Sequence, residues 1–216
     1  MNGLPDPVTL ITGLLALSLI PFMAVMATSF IKLTVVFSLV RNALGIQQIP
    51  PNIALYGMAI ILSLYIMAPV GFAVYDYWES HDISLENKTS VVDFWNEGLT
   101  PVRGFLQSHT RPREIAFFQD TATNLWPENY SKRLDKDSLL ILLPSYTVSE
   151  LTLAFEIGFL LYLPFIAIDL IVSNVLLAMG MMMVSPMTIS LPFKLLLFVL
   201  VDGWTRLIHG LVGSYF

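Results

Sequence analysis

"SELTLAFEIGFLLYLPFIAIDLIVSNVLLAMGMMMVSP", residues 149–186, constrains the fold more than any other stretch of the chain. It is apolar almost throughout, yet it contains Glu150, Glu156 and Asp169, and Pro164 lies in its middle. A carboxylate at the centre of a bilayer costs about 2.5–3.5 kcal/mol on insertion scales. Three of them in one apolar run indicate helices that pack against other protein rather than against lipid.

The overall composition is that of a membrane protein. Of the 216 residues, 56% are hydrophobic and only 12% are charged, whereas soluble domains carry about 25% charged residues. The net charge of −5 argues against nucleic acid as a partner, because nucleic-acid binding requires basic patches. There is no cysteine, and His81, His109 and His209 lie far apart. We therefore expect no disulfide, no metal site and no cofactor.

Four apolar regions cover residues 8–40, 53–75, 139–184 and 187–215. As one helix, residues 8–40 would be about 50 Å long, against about 30 Å for the hydrocarbon core of a bilayer. The third region is longer still and contains two prolines. These lengths predict an all-α, membrane-associated fold of kinked helical hairpins rather than four simple spans.

The stretch from residue 76 to 138 is polar, and it contains seven of the eleven basic and eleven of the sixteen acidic residues. It divides the chain into residues 1–75, with apolar helical hairpins, a helical insertion at 76–138, and residues 139–216, again apolar. Within the insertion we expect a helix that starts at Arg111-Pro112, is capped by Thr110 and ends before Pro127.

Methionine is concentrated in "LLAMGMMMVSPM", residues 176–187. Five of the ten methionines lie there: Met179, Met181, Met182, Met183 and Met187. Methionine fills irregular gaps in hydrophobic cores, and taken alone this stretch is most simply core packing. The same flexibility would also suit an apolar seal that yields to a passing chain.

Five charged residues occupy apolar surroundings in the second half of the chain: Glu150, Glu156, Asp169, Lys194 and Asp202. Lys32 and Arg206 are further possible partners. A buried charge must be paired or must shift its pKa. One interpretation is a proton relay, and the other is ion pairing between subunits that fixes their register. We favour pairing, with Lys194 bound to Glu150 or Asp169.

The segment "RNALGIQQIPPN", residues 41–52, has the composition of a turn. Its candidate contact residues are Arg41, Asn42, Gln47, Gln48, Pro50 and Pro51. The segment is either an ordinary hairpin tip or a contact surface for a neighbouring subunit or a cytoplasmic gate protein.

Three stretches together carry a family resemblance: "FIKLTVVFSLVRNALGIQQIPPN" (30–52), residues 149–186 quoted above, and "ISLPFKLLLFVLVDGW" (189–204). This set, in this order, resembles the FliP/SctR family of flagellar and virulence type III export proteins. The N-terminus lacks the basic residues of a signal peptide, so we expect it to be retained, and the resemblance is closer to the R-type subunit of injectisomes.

The resemblance implies a pore-forming subunit of a type III export apparatus in the bacterial inner membrane. It implies a pentameric ring or cone, joined by S-type and T-type subunits and contacting U-type and V-type ones, with much of the assembly at periplasmic level. Unfolded secreted proteins would pass through it, and the insertion would be periplasmic.

Under this resemblance the methionine-rich loop is a gasket, with Met181, Met182 and Met183 as its main residues. The alternative function is a stand-alone ion-coupled transporter of small molecules that uses Glu156 or Asp169. We expect no enzyme, because no catalytic constellation is present in the sequence.

Overall fold

The computed structural model of the chain describes residues 7–46, 48–81, 88–131 and 134–216. Ten α-helices and one π-helical turn, Phe94–Gly98, are found in these residues, and no strand occurs among them. The helices are α1 Pro7–Met26, α2 Phe30–Ala43, α3 Asn52–Ser80, α4 Lys88–Asp93, α5 Thr100–Ser108, α6 Pro112–Leu125, α7 Glu128–Ser131, α8 Leu139–Ala178, α9 Pro186–Leu200 and α10 Gly203–Gly213. The predicted all-α class is confirmed.

The first apolar region is divided into two helices, as its length predicted. α1 ends at Met26 and α2 begins at Phe30. The third region behaves differently, because α8 continues for 40 residues with Pro144 and Pro164 inside it. A helix of that length is about 60 Å long, twice the hydrocarbon core of a bilayer. The two prolines therefore do not divide this region, and α8 extends well beyond any membrane it crosses.

The main hydrophobic core forms around α2. Leu33, Val36, Phe37 and Val40 are buried there, together with residues of α3, α8 and α10. A smaller cluster joins the insertion to α8 through Leu106, Leu142 and Tyr146. α2 thus lies at the centre of the fold. The helices that carry the charged and methionine-rich segments pack around it.

The insertion is helical and is attached to α8 by specific hydrogen bonds. The Arg111 N–H donates to Ser149 Oγ at 3.0 Å, and Ser145 Oγ donates to the Glu114 carbonyl at 3.3 Å. The helix predicted after Arg111 is confirmed as α6, which starts at Pro112. The predicted cap is wrong, because the Thr110 hydroxyl donates backward to the Leu106 carbonyl at 2.6 Å.

The predicted division into three parts fits the helix boundaries only approximately. α8 begins at Leu139, immediately after the proposed boundary at 138, whereas α3 continues to Ser80, past the boundary at 75. The first residues of the polar segment, 76–80, therefore belong to the end of the apolar helix α3. The three-part division stays a prediction.

Among the described residues, two helices are long and apolar enough to cross a membrane, α3 and α8. α9 and α10 could form a third span as a pair that is bent by 58°. In the most apolar 18-residue window of α3, only 22% of the residues are buried within the chain, and in that of α8 only 11% are. Most of this apolar surface therefore needs cover from lipid or from other subunits.

Close packing of α2 on α8 at Gly158 gives a first testable prediction. A Cβ at this position would lie 3.1 Å from Leu39 Cβ and closer still to Leu39 Cδ1. We expect Gly158→Ala to destabilise the protein by about 1–3 kcal/mol through overpacking, partly offset by about 1 kcal/mol of helix propensity.

The measurement is the thermal unfolding midpoint of the detergent-purified protein. Gly210→Ala on α10 is the control, because its added methyl group meets no heavy atom within 4 Å beyond its chain neighbours and the local backbone of its own helix. The control should leave the midpoint unchanged or raise it. An equal rise for both variants would show that α2 and α8 do not pack closely at Gly158.

Candidate functional site

The methionine-rich segment forms the exposed loop between α8 and α9. α8 ends in a Schellman motif around Gly180, whose φ is +73°. The Met181 N–H donates to the Leu176 carbonyl at 2.9 Å, and the Gly180 N–H donates to the Leu177 carbonyl at 3.0 Å. Glycine suits this left-handed position because it has no Cβ. Gly180 thus ends the helix sharply and sets the direction of the loop.

The methionine side chains on this loop do not fill a core within the chain. Met182 is 81% exposed and Met183 is fully exposed. Met179, Met181 and Met187 are exposed as well. The core-packing interpretation therefore fails for the single chain. A cluster of exposed apolar side chains marks a surface that another molecule covers.

A polar clamp holds the base of this loop. We define it as Asp169 on α8, Ser190 and Lys194 on α9, and the Ala43 carbonyl at the end of α2. Lys194 Nζ lies 2.6 Å from Asp169 Oδ2 and donates to the Ala43 carbonyl at 3.2 Å. Ser190 Oγ donates to Asp169 Oδ1 at 2.6 Å.

The spacing of the clamp follows from helix geometry. Residues 190 and 194 are four apart, so they lie on one face of α9 and reach the two oxygens of a single carboxylate. Lys194 also satisfies a carbonyl that the end of α2 leaves without a helical partner. The clamp therefore joins three helices, two of which lead into and out of the methionine loop, with Asp169 and Lys194 about two to three helical turns from it.

A second buried cluster lies deeper in the chain. Lys32 Nζ is 3.3 Å from Glu150 Oε1, and both side chains are almost fully buried. The Tyr215 hydroxyl donates to Glu150 Oε2. Lys32 Nζ also lies 3.6 Å from the centre of the Tyr215 ring, within the range of a cation–π contact. Glu150 is thus held by α2 and by Tyr215, two residues after the end of α10.

The remaining charges are less buried. Arg111 pairs with Glu156 at 2.6 Å, with side chains that are 33% and 54% exposed. Asp202 is exposed and has a φ of 52°, and no ion pair is found for it in the described part of the chain. The expectation that Glu156 and Asp202 are buried is therefore wrong for the single chain.

The expected pairing of charges between subunits also needs correction. Lys194 pairs with Asp169 as predicted, but both residues belong to the same chain. Glu150 pairs with Lys32, which from the sequence alone was only a further possible partner. These two ion pairs join helices of one subunit, because the helix packing brings distant residues together before any second copy is needed.

The 41–52 segment is closed by Arg41. Its Nη1 donates to Asn52 Oδ1 at 2.5 Å and lies 3.4 Å from the Pro50 carbonyl oxygen. Asn42, Gln48 and Pro51 are exposed, and Pro50 is half-buried. Gln47 lies outside the described residues. Arg41 therefore has a structural role, while the exposed residues leave a contact surface open.

No metal site is formed by the described residues, since no group of three His, Cys, Asp or Glu side chains comes together among them. The arrangement has an apolar exposed loop and buried ion pairs that fix helices in place. Fold and site together define a helical membrane subunit that presents an apolar loop on a braced support.

Comparison with known proteins places this subunit in a family. The model of the FliP family matches residues 13–211. The chain is 67% identical over 215 residues to Yop proteins translocation protein R of Yersinia pestis, with 100% of this chain and 99% of the relative covered. It is 54% identical to virulence protein YscR of Salmonella typhimurium, with 99% of both chains covered. It is 46% identical to harpin secretion protein HrcR of Erwinia amylovora, with 97% of both covered.

The chain belongs to the FliP family, and it is a subunit of a type III protein secretion export apparatus. This confirms the resemblance carried by the three quoted stretches. The family consists of structural components of secretion systems, and membership places the chain in a complex with other subunits. The comparisons give no support to the alternative of a stand-alone transporter.

Proposed function

We propose that this chain forms the wall of the export pore and that its methionine loop seals the pore. The exposure of Met182 and Met183 at the tip of the loop is the observation that carries this proposal. Apolar side chains held in water are unfavourable, so the loop needs an apolar partner. Loops of the same kind from neighbouring copies, meeting at a common axis, would supply one.

Methionine chemistry suits such a seal. The side chain is unbranched, has three rotatable bonds and adapts to irregular partners. A ring of methionines could exclude water and ions when closed. It could also yield to unfolded chains of varied sequence, because no directional hydrogen bond has to break.

The support beneath the loop is rigid. Gly180 fixes the direction in which the loop leaves α8, and the polar clamp ties α9 to α8 and α2. A loop that moves on a fixed base can open and close without disturbing the packing of the subunit. We propose that the two ion pairs, Lys194–Asp169 and Lys32–Glu150, have this bracing role.

The uncovered apolar surface supports assembly into a ring. α3 and α8 bury few of their apolar residues within the chain, and α8 is longer than a bilayer is thick. Cover by neighbouring subunits accounts for both facts. We propose five copies joined by S-type and T-type subunits, with U-type and V-type subunits nearby and much of the cone at periplasmic level in the inner membrane. The exposed residues of the 41–52 segment would contact one of these partners.

The gasket is tested by replacing Met181, Met182 and Met183 together with alanine. The shortened side chains should leave the ring open, so we expect increased ion leakage across the membrane and impaired secretion. Met23 and Met26 on α1, which are exposed and lie outside the loop, serve as a double-alanine control. Unchanged membrane tightness together with unchanged secretion in the triple variant would contradict the gasket.

A further inference from the structure

One cation in the apolar part of the chain, Arg206, has neither an ion pair nor a side-chain hydrogen bond among the residues that the structure describes. Four cations lie outside the polar insertion: Lys32, Arg41, Lys194 and Arg206. Lys32 and Lys194 bind carboxylates, and Arg41 binds Asn52. For the Arg206 guanidinium, no hydrogen bond or ion pair is found with any residue that the structure describes.

Arg206 stands at an apolar cavity of about 350 Å³. The walls come from α2, α8, α9 and α10, and include Val40, Leu161, Phe165 and Leu197. The volume corresponds to roughly ten water molecules at about 30 Å³ each, and it falls within the range of small-ligand sites. The lining is almost entirely apolar, so the cavity favours hydrocarbon over water.

The cavity lies at the bend between α9 and α10. The two helices meet at 58°, and the Phe198 ring packs so closely on Gly203 that a Cβ there would clash with it. Phe198 also packs edge-on against Trp204, with 5.5 Å between ring centroids. These contacts hold the Phe198 ring in the wall of the cavity.

We propose that this cavity binds an anionic phospholipid, with part of an acyl chain inside and the headgroup phosphate on Arg206. The guanidinium presents a planar set of donors that matches phosphate geometry. In the bound complex its aliphatic stem would lie along the apolar lining, with the charge at the lipid headgroup. Basic pockets between membrane helices bind anionic headgroups in the same way.

Asp202 is the acidic group next to this site on the same helix end. It is exposed, it is absent from the cavity lining, and its carbonyl accepts the Arg206 backbone N–H at 3.0 Å. Its carboxylate weakens the attraction for anions without occupying the apolar space. The cavity and the guanidinium together therefore select a molecule with both a hydrocarbon chain and a negative headgroup.

The test is native mass spectrometry of the purified export complex with added phosphatidylglycerol or phosphatidylcholine of identical acyl chains. The wild-type complex should retain phosphatidylglycerol preferentially. Arg206→Gln should lower phosphatidylglycerol retention about ten-fold, as expected for the loss of a charge-assisted hydrogen bond. Arg113→Gln is the control, because Arg113 is 82% exposed in the insertion, and it should change nothing.

Leu197→Phe, which fills the cavity, should lower retention of both lipids while Arg206 stays in place. Equal retention of the two lipids by the wild-type complex would overturn the proposal, and this comparison needs no variant. Unchanged phosphatidylglycerol retention in Arg206→Gln would overturn it as well. Loss of a protein subunit from that variant, with lipid retention unchanged, would assign Arg206 to a protein carboxylate instead.

Discussion

We expect the substitution Lys194→Ala to prevent assembly of the export complex. Lys194 is 3% exposed, and it joins α9 to Asp169 on α8 and to the end of α2. Without the lysine, the Asp169 carboxylate keeps the hydrogen bond from Ser190 and loses its ion pair. Breaking a buried pair costs about 3–5 kcal/mol. We expect a value near the lower end, about 3 kcal/mol, because the Asp169 side chain is 33% exposed.

The effect should appear in assembly because the polar clamp positions α9 and the methionine loop relative to α2. A native gel of detergent-extracted membranes reports the complex, and an immunoblot of the same membranes reports the amount of chain. Lys136→Ala, an exposed lysine of the insertion, is the control. Intact complexes from the Lys194→Ala strain would count against the bracing role.

Glu150→Ala should destabilise the folded chain by about 3–5 kcal/mol. The carboxylate is fully buried and accepts from both Lys32 and Tyr215. Without it the Lys32 ammonium stays buried with no counter-charge. The expected result is loss of the protein from membranes, or a sharply lower unfolding midpoint in detergent.

A double variant distinguishes the effect of losing the ion pair from the effect of losing side-chain volume at the site. Lys32→Met with Glu150→Leu replaces both charges with apolar side chains of similar size, a change that is often neutral or stabilising. We expect it to recover most of the lost stability. Glu156→Ala, from the half-exposed pair with Arg111, should cost less than about 1 kcal/mol. Equal stability of Glu150→Ala and the wild type would refute a structural role for the buried pair.

The fold was largely predictable because apolar length and proline position act locally. A break somewhere within residues 8–40 followed from chain length, and the helix that begins at Pro112 followed from the fixed φ of proline. The position of the break, after Met26, did not follow, because Pro21 lies inside α1. The continuity of α8 through Pro144 and Pro164 did not. A proline inside a helix costs about 3 kcal/mol, and packing along a 40-residue helix can outweigh that cost.

The presence of paired charges in the apolar helices was predictable from the sequence. Which residues pair with each other was only partly predictable. Buried charges must find partners, so Lys194 with Asp169 could be expected from chemistry alone. The Lys32–Glu150 pair spans 118 positions, and no local pattern brings its two residues together. Tyr215 was missed for the same reason. The exposure of the methionines is likewise a tertiary property, because the same residues at the same spacing could have filled a core.

The most direct measurement of the central claim is site-specific cross-linking at the loop tip. The chain has no cysteine, so Met183→Cys introduces a single thiol. A secreted substrate that carries one cysteine and is stalled during export serves as the probe. Leu125→Cys is the control, because Leu125 is also strongly exposed, at 75%, but lies on α6 in the insertion. If the methionine loop lines the path of the secreted chain, an added thiol oxidant such as copper phenanthroline links residue 183 to the stalled substrate by a disulfide and leaves residue 125 unlinked. Cross-linking at neither position, or at residue 125 alone, would contradict a methionine-sealed export pore.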